Sequence, residues 1–495
     1  MFRPLPGPAF ASMAPAMLEQ VRAVLSVPLA GALLLASGCS SLQSVKQEFL
    51  GGSAPAGDTR LSGFIGAVSA DEPRAALAAR EVLATGGNAT DAAVALTYTL
   101  MVTLPSRAGL GGGGACLAYN PDRNGPGRGS PEAVLFTPTA PRNLSGPVDR
   151  PAAVPATPRG MFALHARYGK KPFEGLVAPA EELARFGVPV SRALVRDLAV
   201  VAAPLSADPN ARAVFAPGGV PLREGQELRQ PDLGATLSQL RTVGVGDLYQ
   251  GALARRLEDA ARIAGAGLTV ADMRAALPST SAPIVVRAGR DNVALLPPPA
   301  DGGVGSAAAL QSLQRTPGDG STADAVALNA VARWRAGGAS TEQILAQPQT
   351  GGAGLQNLPA STSFVVLDRD GNAVTCALTM GNLFGTGRIA PGTGILLAAS
   401  PGAAPRPLLS AAIVWNTNVR AFRAGVGASG QEGASLAVAV AVANTLRMNQ
   451  PMPVPVPEPG RANVVACSRY LPDNEETCAW ATDPRGAGLA VGSAG

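Results

Sequence analysis

Residues 358–380, LPASTSFVVLDRDGNAVTCALTM, constrain the fold more than any other stretch. Two strand-like runs flank Asp370-Gly371, a dipeptide suited to the positive φ angles of a tight hairpin turn. A hairpin centred there pairs residues whose numbers sum to about 741, which sets Thr379 opposite Thr362 and within a residue of Ser361. The first strand opens with three hydroxyl residues, Ser361, Thr362 and Ser363, directly after Pro359-Ala360. Hydroxyls at the mouth of an otherwise apolar strand call for a chemical reason.

Around this hairpin, helix-like and strand-like segments alternate. DEPRAALAAREVLATGG predicts an amphipathic helix with Asp71 or Glu72 near its start and Gly86-Gly87 to stop it. NATDAAVALTYTLMV predicts a second, with Thr90 or Asp91 at its N-cap. GLGGGGACLAYN is a glycine run entering a strand, where the backbone must pass close to something. Residues 155–285 read as mainly helical, and DNVALLPPP as a strand leading through ADGGVGS to the helix AAALQSLQ. Weak periodicity over residues 338–360 predicts an exposed loop leading into Ser361. Beyond the hairpin, AAIVWN and AFRAGVGASG predict strands, EGASLAVAVAVANTL a buried helix, and the end of the chain a Pro-rich, Cys-containing tail. Such a mixture points to an α+β fold of helices layered on sheets.

Composition narrows the class. With 46% hydrophobic and 15% charged residues, 59 Gly and 44 Pro, the chain of 495 residues is globular and loop-rich. The net charge of +5 is dispersed, and only Lys46, Lys170 and Lys171 are lysines, so no basic stripe for nucleic acid exists. Arg22 followed by AVLSVPLAGALLLASGC suits a secretory leader rather than a spanning helix. Its LLASGC resembles a bacterial lipobox that would lipidate Cys39, and Ser40 resembles a signal for outer-membrane sorting. The expectation is an exported, periplasmic or outer-membrane-anchored lipoprotein of a Gram-negative bacterium. Residues 1–39 would be the signal peptide with lipobox and residues 40–60 a tether. The membrane would be met only through the lipid anchor. Export permits disulfides: Cys467 and Cys478 read as a local bridge, whereas Cys116 and Cys376, in apolar runs, read as small packed hydrophobes. No C-x-x-C pair marks a structural zinc site, and neither a metal nor a cofactor is expected.

Several chemistries drop out. The single histidine, His165, sits in the helical run GMFALHARYG, and no G-x-S-x-G elbow, H-E-x-x-H, S-x-x-K or Walker A sequence occurs. GVGASG, residues 425–430, fits G-x-G-x-x-G, but no acidic residue follows about 20 positions on to hold a ribose. What remains is a turn whose backbone N–H groups face an anion at a helix start. A hydroxyl nucleophile without histidine has one familiar alternative base, an α-amino group with a pKa of about 7.7 to 8.0. That base exists only on the first residue of a chain. A break between Ala360 and Ser361 would give Ser361 both hydroxyl and amine.

At these residues the chain resembles the γ-glutamyltransferase family of N-terminal nucleophile hydrolases, as a divergent member. The resemblance runs from GAVSADEPRAALAAREVLATGGNATDAAVA, with its G-G-N-A-x-D-A-A motif at Gly86–Ala93, through GLGGGG, RQPDLGATL and PPPADGGVG to STSFVVLDRDGNAV and FGTGRIAPGTGILL. It covers residues 64–447 or so. It implies the four-layer αββα sandwich of that fold, no cofactor, and a precursor that cuts itself. Residues 61–360 would form the large-subunit part and residues 361–495 the small-subunit part with a divergent tail, the fragments staying associated. The resemblance places the nucleophile at Ser361, or at Thr362 if the register slips by one, the supporting hydroxyl at Thr379, and oxyanion N–H groups at Gly430 and Gln431.

Other family positions differ. Where the family has an arginine that clamps the glutamyl carboxylate, this chain has Thr137 in LFTPTAP, leaving Arg142 or Arg388 to take its place. The segment holding the α-amino group reads AASPGAA, Ala398–Ala404. A paired serine becomes Leu409 and Ser410, and an asparagine becomes Gly381, with Asn382 adjacent. Asn382 and Ser410 are therefore the candidate substrate contacts. The resemblance implies a self-processing amidohydrolase or acyltransferase acting on small amides or peptides, γ-glutamyl amides such as glutathione first. The losses favour as alternatives an amidase of the same fold with a non-glutamyl acyl group, or a binding lipoprotein.

Overall fold

A computed structural model describes residues 61–143, 148–350, 360–403 and 406–493. Cys39, the leader and the tether lie outside the described residues, as do residues 351–359 directly before Ala360. Among the described residues no helix is long and apolar enough to cross a membrane.

Thirteen strands build two large sheets: β1 (Gly66–Ala70), β2 (Gly113–Tyr119), β3 (Glu132–Phe136), β4 (Ser279–Ser281), β5 (Ile284–Ala288), β6 (Asp291–Leu295), β7 (Ser361–Asp368), β8 (Ala373–Thr379), β9 (Ser410–Asn416), β10 (Ala421–Ser429), β11 (Arg461–Leu471), β12 (Cys478–Thr482) and β13 (Leu489–Gly492). The first sheet runs β13-β1-β7-β8-β2-β3-β4 and the second β12-β11-β10-β9-β6-β5. Every pairing is antiparallel.

Because successive strand side chains point to opposite faces, each strand feeds two apolar layers. In β7, Phe364 and Val366 pack with Val68, Val374 and Leu378 beneath the helices α1 (Pro73–Ala84) and α2 (Ala89–Thr103). Val365 and Leu367 face the other way and meet Ile413, Trp415, Phe422 and Val465 of the second sheet. The far side of that sheet, with Val293, Val414, Val426 and Val464, is covered by α3 (Gly302–Arg315), α4 (Gly320–Ala336) and α5 (Gly433–Met448). Three apolar layers thus separate four layers of structure in the order αββα. Truncating Phe364, which is fully buried, to alanine is worth about 3 to 5 kcal/mol.

Local chemistry sets the helix starts. Glu72 caps α1, its carboxylate accepting from Ala75 N at 2.8 Å, and the preceding Asp71 is left for β7. Asn88, rather than Thr90 or Asp91, caps α2, in a capping box with Asp91. The middle of the chain is helical as expected, and lies against the α2 side of the first sheet.

Three sequence expectations need correcting. Residues 338–360 are not all loop: Thr341–Ala346 form a short helix, boxed by Ser340 and Gln343, that buries Ile344. The C-terminal stretch is not a mere tail, since β11 and β12 extend the second sheet and β13 crosses to pair with β1. A strand therefore does follow the helix after GVGASG, but it is antiparallel, which a dinucleotide-binding βαβ unit cannot be. Finally, Cys116 and Cys376 are not separate small hydrophobes. They sit opposite one another on β2 and β8 and are joined in a disulfide. Cys467 and Cys478 form the second, local one.

Candidate active site

The β7–β8 hairpin pairs Ser361 with Thr379 and Thr362 with Leu378. The turn centres on Asp370 rather than between Asp370 and Gly371, which accounts for the one-residue difference from the expected pairing. Asp368 closes this turn: its carboxylate accepts from Asp370 N, Asn372 N and the Asn372 side chain, and also from Ala89 N at the start of α2. Burial pushes Asp368 up to about 6, although these bonds favour its charged form.

Ser361 is fully buried at the mouth of β7. Its Oγ accepts a hydrogen bond from Gly430 N at 3.2 Å. On its N-terminal side, the Ala360 carbonyl accepts from Thr379 Oγ1 at 2.7 Å. The Thr379 hydroxyl is itself fixed by Gly381 N at 2.9 Å. The hydroxyl and the carbonyl of one peptide junction are thus each held by a separate donor.

Gly430 occupies a position few other residues could take. Its φ is +101°, and a Cβ there would lie 2.1 Å from the Pro459 carbonyl oxygen. Gln431 follows with φ +48°, in the turn that enters α5, and its buried Oε1 has no hydrogen-bond partner among the described residues. The glycine run 109–114 serves a similar close approach: a Cβ on Gly112 would stand 2.5 Å from the Thr379 carbonyl oxygen.

Strand alternation separates the two candidate nucleophiles. Ser361 and Ser363 point toward the second sheet, while Thr362 points to the helical side with Phe364. There Thr362 Oγ1 donates to Asp71 Oδ2 at 3.0 Å, and the same oxygen accepts from Ser363 N at 3.0 Å. The other Asp71 oxygen takes a bond from Asn463 Nδ2, which also reaches the carbonyl and hydroxyl of Ser363.

Sequence reasoning missed a charged neighbour. Arg107, just before the glycine run, donates to the Ser361 carbonyl at 3.5 Å and forms a two-pronged pair with Asp197 at 2.7 and 2.8 Å. Ser106 Oγ donates to the same carboxylate at 2.6 Å. The one available signal was an arginine inside LPSRAGLGGGG, an otherwise uncharged run.

A small pocket opens at Thr379 and Gly381. Its other walls are Thr137, Pro138, Pro299, Ala399, Pro401, Pro407 and Leu409, and among the described residues the one charged side chain on it is Arg406. Thr137, Ala399, Pro401 and Leu409 stand where the sequence departs from the resemblance, so the departures gather in one place. The two expected substrate contacts do not. Ser410 turns its hydroxyl to Ser306 of α3, and Asn382 lies in the turn after Gly381, its carbonyl accepting from Gly385 N. Arg388 is paired with Asp149 at 2.6 Å, Arg142 is exposed, and neither lines the pocket. His165 is bonded to the Lys171 carbonyl beside Asp91, apart from these residues.

A family profile described as gamma-glutamyltranspeptidase matches residues 75–336, more than half of the chain. The chain belongs to the gamma-glutamyltranspeptidase family. It is 31% identical over 251 residues to a glutathione hydrolase proenzyme of Bacillus subtilis (strain 168), covering 48% of this chain and 43% of that protein. To a glutathione hydrolase proenzyme of Escherichia coli (strain K12) it is 29% identical over 366 residues, covering 64% and 63% respectively. The matched parts thus span between two fifths and two thirds of these relatives. Among solved structures, a cephalosporin acylase from Bacillus halodurans superposes with a TM-score of 0.71 at 20% identity, over 89% of this chain and 98% of that one. That likeness agrees with the αββα architecture, the fold of N-terminal nucleophile hydrolases.

Proposed function

We propose that this family member is a self-processing amide hydrolase or acyltransferase whose nucleophile is Ser361. The observation that carries the reading is the Ala360–Ser361 junction, where Gly430 N holds the hydroxyl and Thr379 Oγ1 polarises the carbonyl. In the first reaction Ser361 Oγ attacks the Ala360 carbonyl carbon. The C–N bond breaks, the nitrogen takes the proton, and an ester joins Ala360 to Oγ. Water then hydrolyses the ester, leaving one fragment that ends at Ala360 and one that begins at Ser361, the latter with a free amine.

In turnover that amine is the general base for Oγ, and N–H groups at Gly430 and Gln431 stabilise the tetrahedral oxyanion. Water or an amine acceptor resolves the acyl-enzyme, and no cofactor takes part.

Family membership supports γ-glutamyl amides such as glutathione as the first substrate reading. The pocket supports a second. A γ-glutamyl group carries both a carboxylate and an ammonium, and among the described residues the pocket offers one cation, Arg406, and no acid. An acyl chain that ends in a carboxylate and lacks the amine fits it better. Assaying γ-glutamyl-p-nitroanilide beside glutaryl-p-nitroanilide, with Ser361→Ala as control, tests both readings. Turnover of the first alone removes the second reading, and turnover that survives Ser361→Ala, or none at all, removes catalysis by this residue.

The leader and Cys39 support an exported, lipid-anchored protein, and two disulfides suit an oxidising compartment. Cys39→Ala is expected to release the protein from the membrane fraction, and retention there would contradict the anchor.

A further inference from the structure

We propose that the disulfide between Cys116 and Cys376 covalently joins the two fragments that cleavage produces. The inference rests on self-cleavage before Ser361. Cys116 lies on β2 and Cys376 on β8, in register with each other, their Cα atoms 4.1 Å apart and 260 residues apart in sequence. The Ala360–Ser361 bond lies between them along the chain. A single cut therefore leaves one sulfur in each polypeptide, and the bridge that was internal in the precursor becomes the link between them. Cys467 and Cys478 are separated by 11 residues, both after the cut, so their disulfide cannot serve this purpose.

The placement concerns the active site as well as connectivity. Cys376 is on the strand that ends at Thr379, and Cys116 is on the strand that leaves the glycine run packed against the Thr379 carbonyl. A bond there pins β8 to β2, and with it the position of the Thr379 hydroxyl, once the backbone before Ser361 is open. Both sulfurs are fully buried under α1 and α2, so in the native state a soluble reductant has no path to them. Formation takes two thiols to one disulfide, passing two electrons and two protons to a protein disulfide oxidant of the export compartment by thiol–disulfide exchange.

Denaturing electrophoresis of the alkylated full-length protein, with and without reductant, separates the possibilities. The expected result is one species without reductant and two with it, the smaller beginning at Ser361. Two species in both lanes overturn the link while leaving cleavage standing. One species in both lanes overturns the proposal through cleavage itself, and peptide mapping without reductant then shows whether Cys116 and Cys376 are bonded. Replacing Cys116 and Cys376 together by alanine is expected to free the fragments without reductant, whereas replacing Cys467 and Cys478 is not. Refolding from denaturant supplies a second readout. The wild type is expected to recover activity at a rate independent of concentration, while the Cys116→Ala/Cys376→Ala protein slows about tenfold on tenfold dilution, because rejoining has become bimolecular. Equal concentration dependence in the two proteins overturns the proposal.

Discussion

Replacing Thr379 by valine keeps the shape of the side chain and removes its hydroxyl. In the uncut chain that hydroxyl donates to the Ala360 carbonyl at 2.7 Å in a buried setting. As Ser361 Oγ adds to this carbonyl, its oxygen gains negative charge and the bond strengthens, so the loss falls mainly on the transition state. One lost donor of this kind costs about 3 to 4 kcal/mol, or roughly 10²- to 10³-fold in rate. A separate effect falls on stability: Gly381 N, now bonded to Thr379 Oγ1 at 2.9 Å, loses its acceptor, which costs about 1 to 3 kcal/mol. The assay is the fraction of cut chain against time after refolding, read on reducing gels, with the melting temperature measured on a Ser361→Ala background. Thr379→Ser, which keeps the hydroxyl, is expected to process within about tenfold of wild type. A valine variant cut as fast as wild type would refute the role assigned to this hydroxyl.

Further outcomes follow from the same geometry. Thr362→Val is expected to leave cleavage before Ser361 intact while lowering stability by about 1 to 2 kcal/mol through the lost bond to Asp71; abolished cleavage would identify Thr362 as the nucleophile. Arg107→Met leaves Asp197, only 2% exposed, without its cation, and is expected to cost about 3 to 5 kcal/mol in denaturant melts, most of it recovered by adding Asp197→Leu. Asp368 has a folded value of about 6, above its ordinary 3.8, so the folded chain keeps a proton that the unfolded chain releases over that window. Its contribution is full below about 4 and falls by about 3 kcal/mol as pH rises to about 6. Subtracting the Asp368→Asn curve from wild type should expose this decline, and a difference that rises with pH would contradict it.

Much of the architecture was legible because it depends on local pattern. The alternation in residues 361–379 identified both strands of the hairpin, and apolar periodicity identified α1, α2 and α5. What escaped depended on distant partners. Asp71 looked like a helix cap because its true partners, Thr362 and Asn463, are hundreds of residues away. The pairing of Cys116 with Cys376 needed the neighbour of β8 in the sheet, which no single run of residues reveals. Likewise Arg107 and Asp197 meet only after the loop before β2 folds back. Some misses had local signals that went unread: Ser340-x-x-Gln343 is a capping box that announces the helix Thr341–Ala346. Ser410 was carried over by resemblance alone, and strand alternation turns it toward Ser306 while Leu409 takes the pocket.

The central claim is that a backbone break gives Ser361 its own base. Sequencing the N-terminus of each species in reduced, purified protein tests it most directly. The account predicts a fragment beginning Ser361-Thr362-Ser363, absent from the Ser361→Ala variant. An unbroken chain that still hydrolyses amides, or a fragment that starts elsewhere, would contradict it.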